Sequence, residues 1–291
     1  MMRFADYLGV EYPGRSSKPR RQGITMVMDQ GWPWQFTEGV LQEWGEYLDI
    51  AKFWDVDFKA PLETIRQKIA CYKKYDVRVQ AGGIYLEVAR KQGREDEALS
   101  KLKELGFDIV EVSSTTSTRE VPEEDTEFIQ KAKKLSFTVF GEVGRKFPDG
   151  DETRFTEDTV DVETTVAEFK ALLAAGVEKV YWEGHLLRRV VGETPEEIKA
   201  KAGTGTRQVL EVAHRVGQDN IVFEASGLVP VSSRRLLQFW LIRLFGPEVN
   251  IGNARIEEMA NLEALRAGTH PVFGFGSLGN YSGVRAMEKK K

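Results

Sequence analysis

Residues 137–143 read FTVFGEV, a short apolar run that carries a single glutamate near its end. EKVYWEG at 178–184 and NIVFEAS at 220–226 repeat this pattern, and a longer amphipathic segment separates each run from the next. Short apolar runs of this kind are typical of strands that are buried on both faces. Buried strands that alternate with helices predict a parallel sheet with helices on both of its faces.

The same alternation extends in both directions along the chain and gives eight strand–helix pairs. The predicted strands span residues 23–29, 49–53, 77–80, 107–113, 137–143, 178–184, 220–226 and 248–253. The predicted helices span residues 36–48, 61–75, 85–105, 123–135, 162–175, 195–216, 232–245 and 255–268. We expect a break near Gly93 in the third helix and a C-terminal cap at Gly176 after the fifth. Eight units favour the α/β class and closure into a (β/α)8 TIM barrel, with an open doubly wound sheet as the alternative.

The barrel is expected to form a single domain with short N- and C-terminal extensions. A chain of 291 residues is long for an ordinary domain but normal for this fold. The predicted barrel occupies residues 23–268. Residues 1–22, which end in the basic run KPRRQ, form the predicted N-terminal extension, and residues 269–291 form the predicted C-terminal tail.

The composition argues against several other classes of protein. The net charge of −4 comes from mixed signs and gives no general reason to expect nucleic-acid binding, which favours a basic surface. No stretch approaches the roughly 18 apolar residues of a membrane span, and the first residues lack a signal peptide, so we expect a cytoplasmic protein. Cys71, the single cysteine, is predicted to be a packed thiol on the apolar side of a helix. The aromatic run at 238–245 suits core packing, with the interface of a homo-oligomer as the alternative.

A polar side chain stands at or near the end of each predicted strand, and a barrel collects these ends on its active-site face. In strand order they are Asp29, Lys52, Gln80, Glu111, Glu142, Glu183, Glu224 and Asn253. A carboxylate in a buried strand needs a cation partner, a metal ion or a proton. The set therefore predicts an active site, although one or two of the acids could simply brace Lys52.

Carboxylates without an accompanying histidine or cysteine cluster suit a hard cation, and Mg²⁺ fits best. The predicted metal ligands are Asp29, Glu183 and Glu224. The predicted catalytic residues are Lys52, Glu111, Glu142 and Glu183. Lys52 would act as an electrostatic clamp or as an acid or base, since nearby acids raise the pKa of a lysine and weaken it as a nucleophile.

A small anionic substrate would also need positive charge and exposed backbone N–H groups. The predicted substrate-binding residues are Gly82, Gly83, Arg145, Lys146, His185, Arg188 and Asn253. The two glycines precede a helix and could present amides to a phosphate or carboxylate, with a plain tight turn as an equal alternative.

The chain resembles the phosphosulfolactate synthase family at these same strand ends. The motifs are MVMDQG (26–31), AKF (51–53), AGG (81–83), FDIVEVS (107–113), GEVGRK (141–146), WEG (182–184), VFEAS (222–226) and VNIGNARIEE (249–258). The resemblance implies a (β/α)8 barrel and a carbon–sulfur lyase type of enzyme. It further implies a Mg²⁺-dependent addition of sulfite to phosphoenolpyruvate, a step toward coenzyme M. The family is also similar to plant proteins linked to heat tolerance.

Four residues depart from the family's pattern at positions that could bind phosphate or sulfite. They are Gln30, Trp54, Ile84 and His185. Three hypotheses follow. The protein is a phosphosulfolactate synthase, a diverged barrel enzyme acting on another small phosphorylated or carboxylate substrate, or a non-catalytic, stress-related homologue.

Overall fold

The computed structural model describes residues 2–113, 121–144, 160–225, 229–272 and 276–277. Eight parallel strands form a closed barrel in the order β1 to β8, which confirms the predicted fold. The strands are β1 Thr25–Met28, β2 Ile50–Phe53, β3 Arg78–Ala81, β4 Ile109–Val112, β5 Thr138–Val143, β6 Lys179–Trp182, β7 Ile221–Glu224 and β8 Ile251–Arg255.

The N-terminal extension contains α1 Phe4–Leu8, and the later helices surround the barrel in chain order. They are α2 Trp34–Trp44, α3 Leu62–Lys74, α4 Gly83–Lys91, α5 Glu95–Leu105, α6 Glu123–Lys134, α7 Val162–Ala175, α8 Gly184–Val191, α9 Pro195–Lys201, α10 Gly205–Val216, α11 Val231–Phe245 and α12 Met259–Ala267. The predicted break near Gly93 separates α4 from α5, and Gly176 caps α7 in the left-handed conformation with φ 102°. In the described ranges, no helix is long and apolar enough to cross a bilayer.

Helix α8 was missed by the sequence interpretation, which placed Gly184 at the end of a strand and left residues 185–194 as a loop. The helix begins directly after β6, because Gly184 lacks a side chain at a very crowded point. A Cβ atom there would lie 2.3 Å from the carbonyl oxygen of Glu224. Gly192, with φ 110°, ends the helix. At the chain ends, α1 lies within the predicted N-terminal extension, and Pro271–Val272 pairs with Gly276–Ser277 as a short antiparallel ribbon.

The core has two layers, one inside the barrel and one between the strands and the helices. The inner layer consists of Ile24, Met26, Ile50, Ile109, Phe140, Tyr181 and Val222. Side chains alternate between these layers along each strand, so the polar residues two positions after an inner residue also face inward. Apolar side chains therefore fill the lower barrel, and polar side chains fill its C-terminal end. Cys71 is buried and free, as predicted.

The N-terminal segment covers the opposite, N-terminal end of the barrel. Arg20 Nη1 lies 3.0 Å from Asp49 Oδ1, and the second oxygen of Asp49 accepts a hydrogen bond from the backbone N–H of Thr25. Lys18 Nζ donates to the carbonyl oxygen of Tyr75 at 2.8 Å. These contacts stabilise the end of the barrel that carries none of the candidate site residues.

Candidate active site

Lys52 lies inside the barrel among the strand-end carboxylates. Its Nζ atom is 2.7 Å from Glu111 Oε2 and 3.6 Å from Glu224 Oε1. Burial alone would lower the pKa of Lys52, but the charges of Glu111, Glu224 and Glu142 outweigh burial and raise this pKa above its ordinary value. The amine is therefore protonated at neutral pH and suits an electrostatic role better than a nucleophilic one.

Gln80 and Tyr181 complete the contacts around Lys52. The Tyr181 hydroxyl donates to Gln80 Oε1 at 2.5 Å, and Gln80 Nε2 donates to Glu111 Oε2 at 2.8 Å. Lys52 Nζ also lies 4.8 Å from the centre of the Tyr181 ring, within the range of a cation–π contact. The sequence interpretation missed Tyr181, although it stands two residues before Glu183 and so faces the same side of β6.

Three glutamates form a compact cluster at the ends of neighbouring strands β5, β6 and β7. Each of Glu142, Glu183 and Glu224 has one carboxylate oxygen within 4.8 Å of the other two. Carboxylates this close repel one another unless a cation or protons neutralise them. Their oxygen-only donor set fits a hard divalent cation. Two of the three predicted metal ligands lie in this cluster, and Glu142, predicted as catalytic, is the third member.

Glu183 is oriented by the start of α8. Its Oε1 atom accepts a hydrogen bond from the backbone N–H of His185 at 3.1 Å and so caps the helix. Gly144 allows this approach, since a Cβ atom at that position would lie 2.7 Å from the Cβ atom of Glu183. The hydrogen bond from His185 therefore fixes the orientation of the Glu183 carboxylate within the cluster.

Asp29, the remaining predicted metal ligand, pairs with other residues. Its Oδ1 atom lies 2.6 Å from Lys68 Nζ, and its Oδ2 atom accepts a hydrogen bond from the Tyr72 hydroxyl at 3.1 Å. Lys68 Nζ also lies 3.3 Å from Asp57 Oδ1, so this lysine links the segments after β1 and β2. The structure does not bring Asp29 into the glutamate cluster, and its metal role stays a prediction.

Gly82 and Gly83 sit where β3 meets α4, and close packing accounts for both of them. A Cβ atom on Gly82 would lie 2.9 Å from the carbonyl oxygen of Phe53, and one on Gly83 would lie 2.2 Å from Ser113 Oγ. Substrate binding by these two residues stays a prediction.

His185 and Arg188 form a pair on the first turns of α8. Arg188 is buried, and its Nη2 atom lies 3.2 Å from His185 Nδ1. A guanidinium can only donate, so Nδ1 must accept and the ring proton belongs on Nε2. Burial and the positive charge of Arg188 lower the pKa of His185, which keeps the ring neutral at pH 7. Arg188 Nη1 also lies 3.2 Å from Glu193 Oε2, and contact of either residue with substrate stays a prediction.

Of the three remaining predicted substrate-binding residues, Asn253 is among the residues that the structure describes. Asn253 is buried near the end of β8 with φ 52°, an unusual backbone conformation for a residue other than glycine. Its side-chain oxygen has no hydrogen-bond donor within the described ranges. Arg145 and Lys146 lie outside the described residues.

A closed barrel that gathers a buried lysine and a glutamate cluster at the C-terminal ends of its strands has the architecture of a (β/α)8-barrel enzyme. Residues 13–271 match the model of the (2R)-phospho-3-sulfolactate synthase (ComA) family, and the chain belongs to this family. The resemblance carried by the strand-end motifs is thereby confirmed.

Individual relatives agree with the family match. The chain is 32% identical over 249 residues to the phosphosulfolactate synthase of Methanocaldococcus jannaschii, and the match covers 85% of this chain and 92% of that protein. It is 30% identical over 257 residues to the phosphosulfolactate synthase of Methanothermobacter thermautotrophicus, covering 88% and 93% of the two chains. A third phosphosulfolactate synthase, from Bacillus subtilis, is 26% identical over 264 residues, covering 89% of this chain and 95% of that protein. These relatives support a lyase-type enzyme.

Proposed function

We propose that this protein is a phosphosulfolactate synthase that adds sulfite to phosphoenolpyruvate in the presence of Mg²⁺. The observation that carries the proposal is the charged Lys52 beside a glutamate cluster that fits a divalent cation, within a chain of this family. The proposal includes a cytoplasmic enzyme that acts on a small anionic substrate without nucleic acid or membrane. It leaves room for a homo-oligomer.

The proposed reaction forms one carbon–sulfur bond and one carbon–hydrogen bond. The sulfur lone pair of sulfite attacks C3 of phosphoenolpyruvate. The π-electron pair of the C2–C3 double bond moves to C2, where a proton completes the product. The phosphate ester and the carboxylate of the substrate remain intact, so no leaving group departs.

The enzyme must bring two anions together and accommodate negative charge that spreads toward the substrate carboxylate. In the proposal Glu142, Glu183 and Glu224 would hold Mg²⁺, which would supply positive charge to the substrate carboxylate. The Lys52 ammonium adds a second positive charge in the same cavity, and Glu111 holds that ammonium in place. We propose Lys52 as the proton donor to C2, because the carbanion that forms at C2 is far more basic than an amine.

The direct test is incubation of the purified protein with sulfite, phosphoenolpyruvate and Mg²⁺, followed by phosphorus NMR. We expect the enol phosphate signal to be replaced by that of a saturated phosphate ester, with no release of inorganic phosphate. Omission of sulfite is the control. If the full mixture leaves phosphoenolpyruvate unchanged while calorimetry detects Mg²⁺ binding, the synthase assignment is wrong.

A second candidate is a diverged barrel enzyme acting on another small phosphorylated or carboxylate substrate. Trp54 favours it, because this bulky residue follows Lys52 and Phe53 directly. The Trp54 indole donates to the carbonyl oxygen of Asp29, and the Tyr85 hydroxyl donates to the carbonyl oxygen of Trp54. A rigid aromatic wall at this point would change the shape of the substrate cavity. Mg²⁺ binding without turnover of phosphoenolpyruvate would favour this candidate, and neither binding nor turnover would favour a non-catalytic homologue.

A further inference from the structure

Strand β8 contains a one-residue bulge next to Asn253. Thr25 of β1 pairs with Ile251, but Val27 pairs with Ala254, so β8 advances three residues while β1 advances two. Asn253 takes up the extra length with φ 52°. Bulges of this kind occur at barrel rims and beside active sites, where they change the direction of a side chain.

The bulge reverses the alternation of side chains along β8. Before it, Gly252 faces the inside of the barrel. After it, Ala254 packs in the outer layer of the core, and Arg255 therefore faces inward. In an unbroken strand, Arg255 would point outward to the helices. A Cβ atom on Gly252 would contact three inner side chains, those of Val222, Met26 and Tyr181, at 3.0, 3.2 and 3.5 Å.

The strand register places Arg255 in the same row of the barrel as Lys52. Arg255 pairs with Met28 of β1, and Met28 pairs with Lys52 of β2. Two strand spacings separate the two cationic residues, which is about 10 Å between their backbones. A second positive charge thus stands at the C-terminal end of the barrel, on the opposite side of Lys52 from Gln80.

Among the residues that the structure describes, the Arg255 guanidinium has an ion-pair partner only at its Nε atom. Its Nε atom lies 2.8 Å from Glu257 Oε1, and Glu257 Oε2 accepts a hydrogen bond from the Trp32 indole at 3.3 Å. Within the described ranges, no residue pairs with the two terminal nitrogens of Arg255. Its side chain is 29% exposed, so a ligand can reach it. Paired terminal nitrogens form the fork that binds carboxylate and phosphate oxygens most tightly.

We propose that Arg255 binds an anionic group of the substrate, a carboxylate or phosphate oxygen pair. In this proposal the contribution of Asn253 is its backbone, which forms the bulge that turns Arg255 into the cavity. This inference rests on the proposed function in one respect: both place the substrate at the C-terminal end of the barrel. It adds a binding residue that the sequence interpretation missed.

The first test removes the charge of Arg255. Isothermal titration calorimetry of Arg255→Gln with phosphoenolpyruvate, and separately with inorganic phosphate, should show binding about 10- to 100-fold weaker than wild type. Arg255→Lys keeps the positive charge but loses the paired nitrogens, so its affinity should lie between that of wild type and that of Arg255→Gln. Arg243→Gln, the same change at an exposed position on α11, is the matched control and should bind like wild type. Mg²⁺ affinity should be unchanged in all three variants, because the glutamate cluster is intact.

The second test separates the Asn253 backbone from its side chain. Asn253→Gly keeps the backbone free to adopt positive φ and should bind phosphoenolpyruvate within about threefold of wild type. Asn253→Val disfavours positive φ, because the residue is β-branched, and should bind as weakly as Arg255→Gln. A folded Asn253→Gly protein that loses affinity as strongly as Asn253→Val would make the side chain the ligand and overturn that part of the inference. If Asn253→Val does not fold, Arg255→Gln still decides the role of Arg255.

The outcomes distinguish this inference from the proposed function. Arg255-dependent binding of phosphate or phosphoenolpyruvate, without sulfite addition, would reject the synthase assignment and leave the inference standing. Arg255→Gln binding both anions like wild type would overturn the inference even if the enzyme is an active synthase. Failure of the wild-type protein to bind either anion would overturn it as well.

Discussion

Gln80 Nε2 donates a hydrogen bond of 2.8 Å to Glu111 Oε2, the same oxygen that lies 2.7 Å from Lys52 Nζ. This one carboxylate oxygen therefore contacts both the Gln80 amide and the Lys52 ammonium. The Tyr181 hydroxyl donates to the other end of the Gln80 side chain and so fixes which amide atom faces Glu111. Tyr181 and Gln80 therefore act as positioning residues for the Lys52–Glu111 ion pair.

Tyr181→Phe should slow turnover more than it weakens substrate binding. The variant keeps the ring beside Lys52 but leaves Gln80 Oε1 without its buried donor, so the Gln80 amide can turn away from Glu111. We expect kcat to fall about tenfold with little change in KM, and stability to fall by about 1–3 kcal/mol. Steady-state kinetics and thermal unfolding measure the two effects.

Tyr72→Phe is the comparison variant, because it removes an equally buried hydroxyl that donates to a carboxylate outside the glutamate cluster. A similar loss of stability with a normal kcat would assign the kinetic effect of Tyr181→Phe to the Lys52 network. A normal kcat in Tyr181→Phe would mean that Gln80 needs no orientation by Tyr181. A reduced kcat in Tyr72→Phe would instead support the predicted metal role of Asp29.

Local sequence patterns were sufficient to predict the fold and to place Glu142, Glu183 and Glu224 at strand ends. They could not predict which side chains form pairs. An apolar run ending in a glutamate identifies a strand end by itself. The partner of Asp29 is a helix residue, Lys68, which lies 39 positions along the chain, and the sequence does not indicate that its side chain reaches β1. The bulge that turns Arg255 inward was equally hidden, because it depends on the register between β8 and β1.

Lys52→Met should abolish turnover and destabilise the protein. The substitution removes the positive charge that lies 2.7 Å from Glu111 and 3.6 Å from Glu224, and both of these carboxylates are buried. Breaking a buried ion pair from one side costs about 3–5 kcal/mol. Steady-state kinetics and urea unfolding at pH 7 check the two effects. A variant as stable as the wild type would mean that the positive charge of Lys52 is not needed to stabilise the buried carboxylates.

Glu183→Gln should abolish Mg²⁺ binding without lowering the stability of the metal-free protein. The amide oxygen can still cap α8 through the backbone N–H of His185. Loss of one charge from the cluster also reduces the repulsion felt by Glu142 and Glu224. Scanning calorimetry in EDTA and in excess Mg²⁺ should show that Mg²⁺ raises the Tm of wild type but not of the variant.

Glu127→Gln, the same change at an exposed position on α6, should respond to Mg²⁺ like wild type. A Mg²⁺-induced rise in Tm that survives in Glu183→Gln would exclude Glu183 as a ligand. A lower Tm for Glu183→Gln in EDTA would mean that the cluster is stabilised by internal partners.

Asp57→Asn should change how stability depends on pH. Burial, together with the charge of Asp29, raises the pKa of Asp57 from 3.8 to about 6. The folded protein therefore binds this proton more tightly than the unfolded chain does. This proton stabilises the folded protein by on the order of 2 kcal/mol. The stabilisation is fully present below pH 4 and is lost as the pH rises toward 6 and above.

In the Asp57→Asn variant the asparagine stays neutral throughout, and Lys68 still pairs with Asp29. The Tm of Asp57→Asn minus that of wild type should therefore increase between pH 4 and pH 7. A difference that stays constant over this range would mean that Asp57 has the same pKa in the folded and unfolded states.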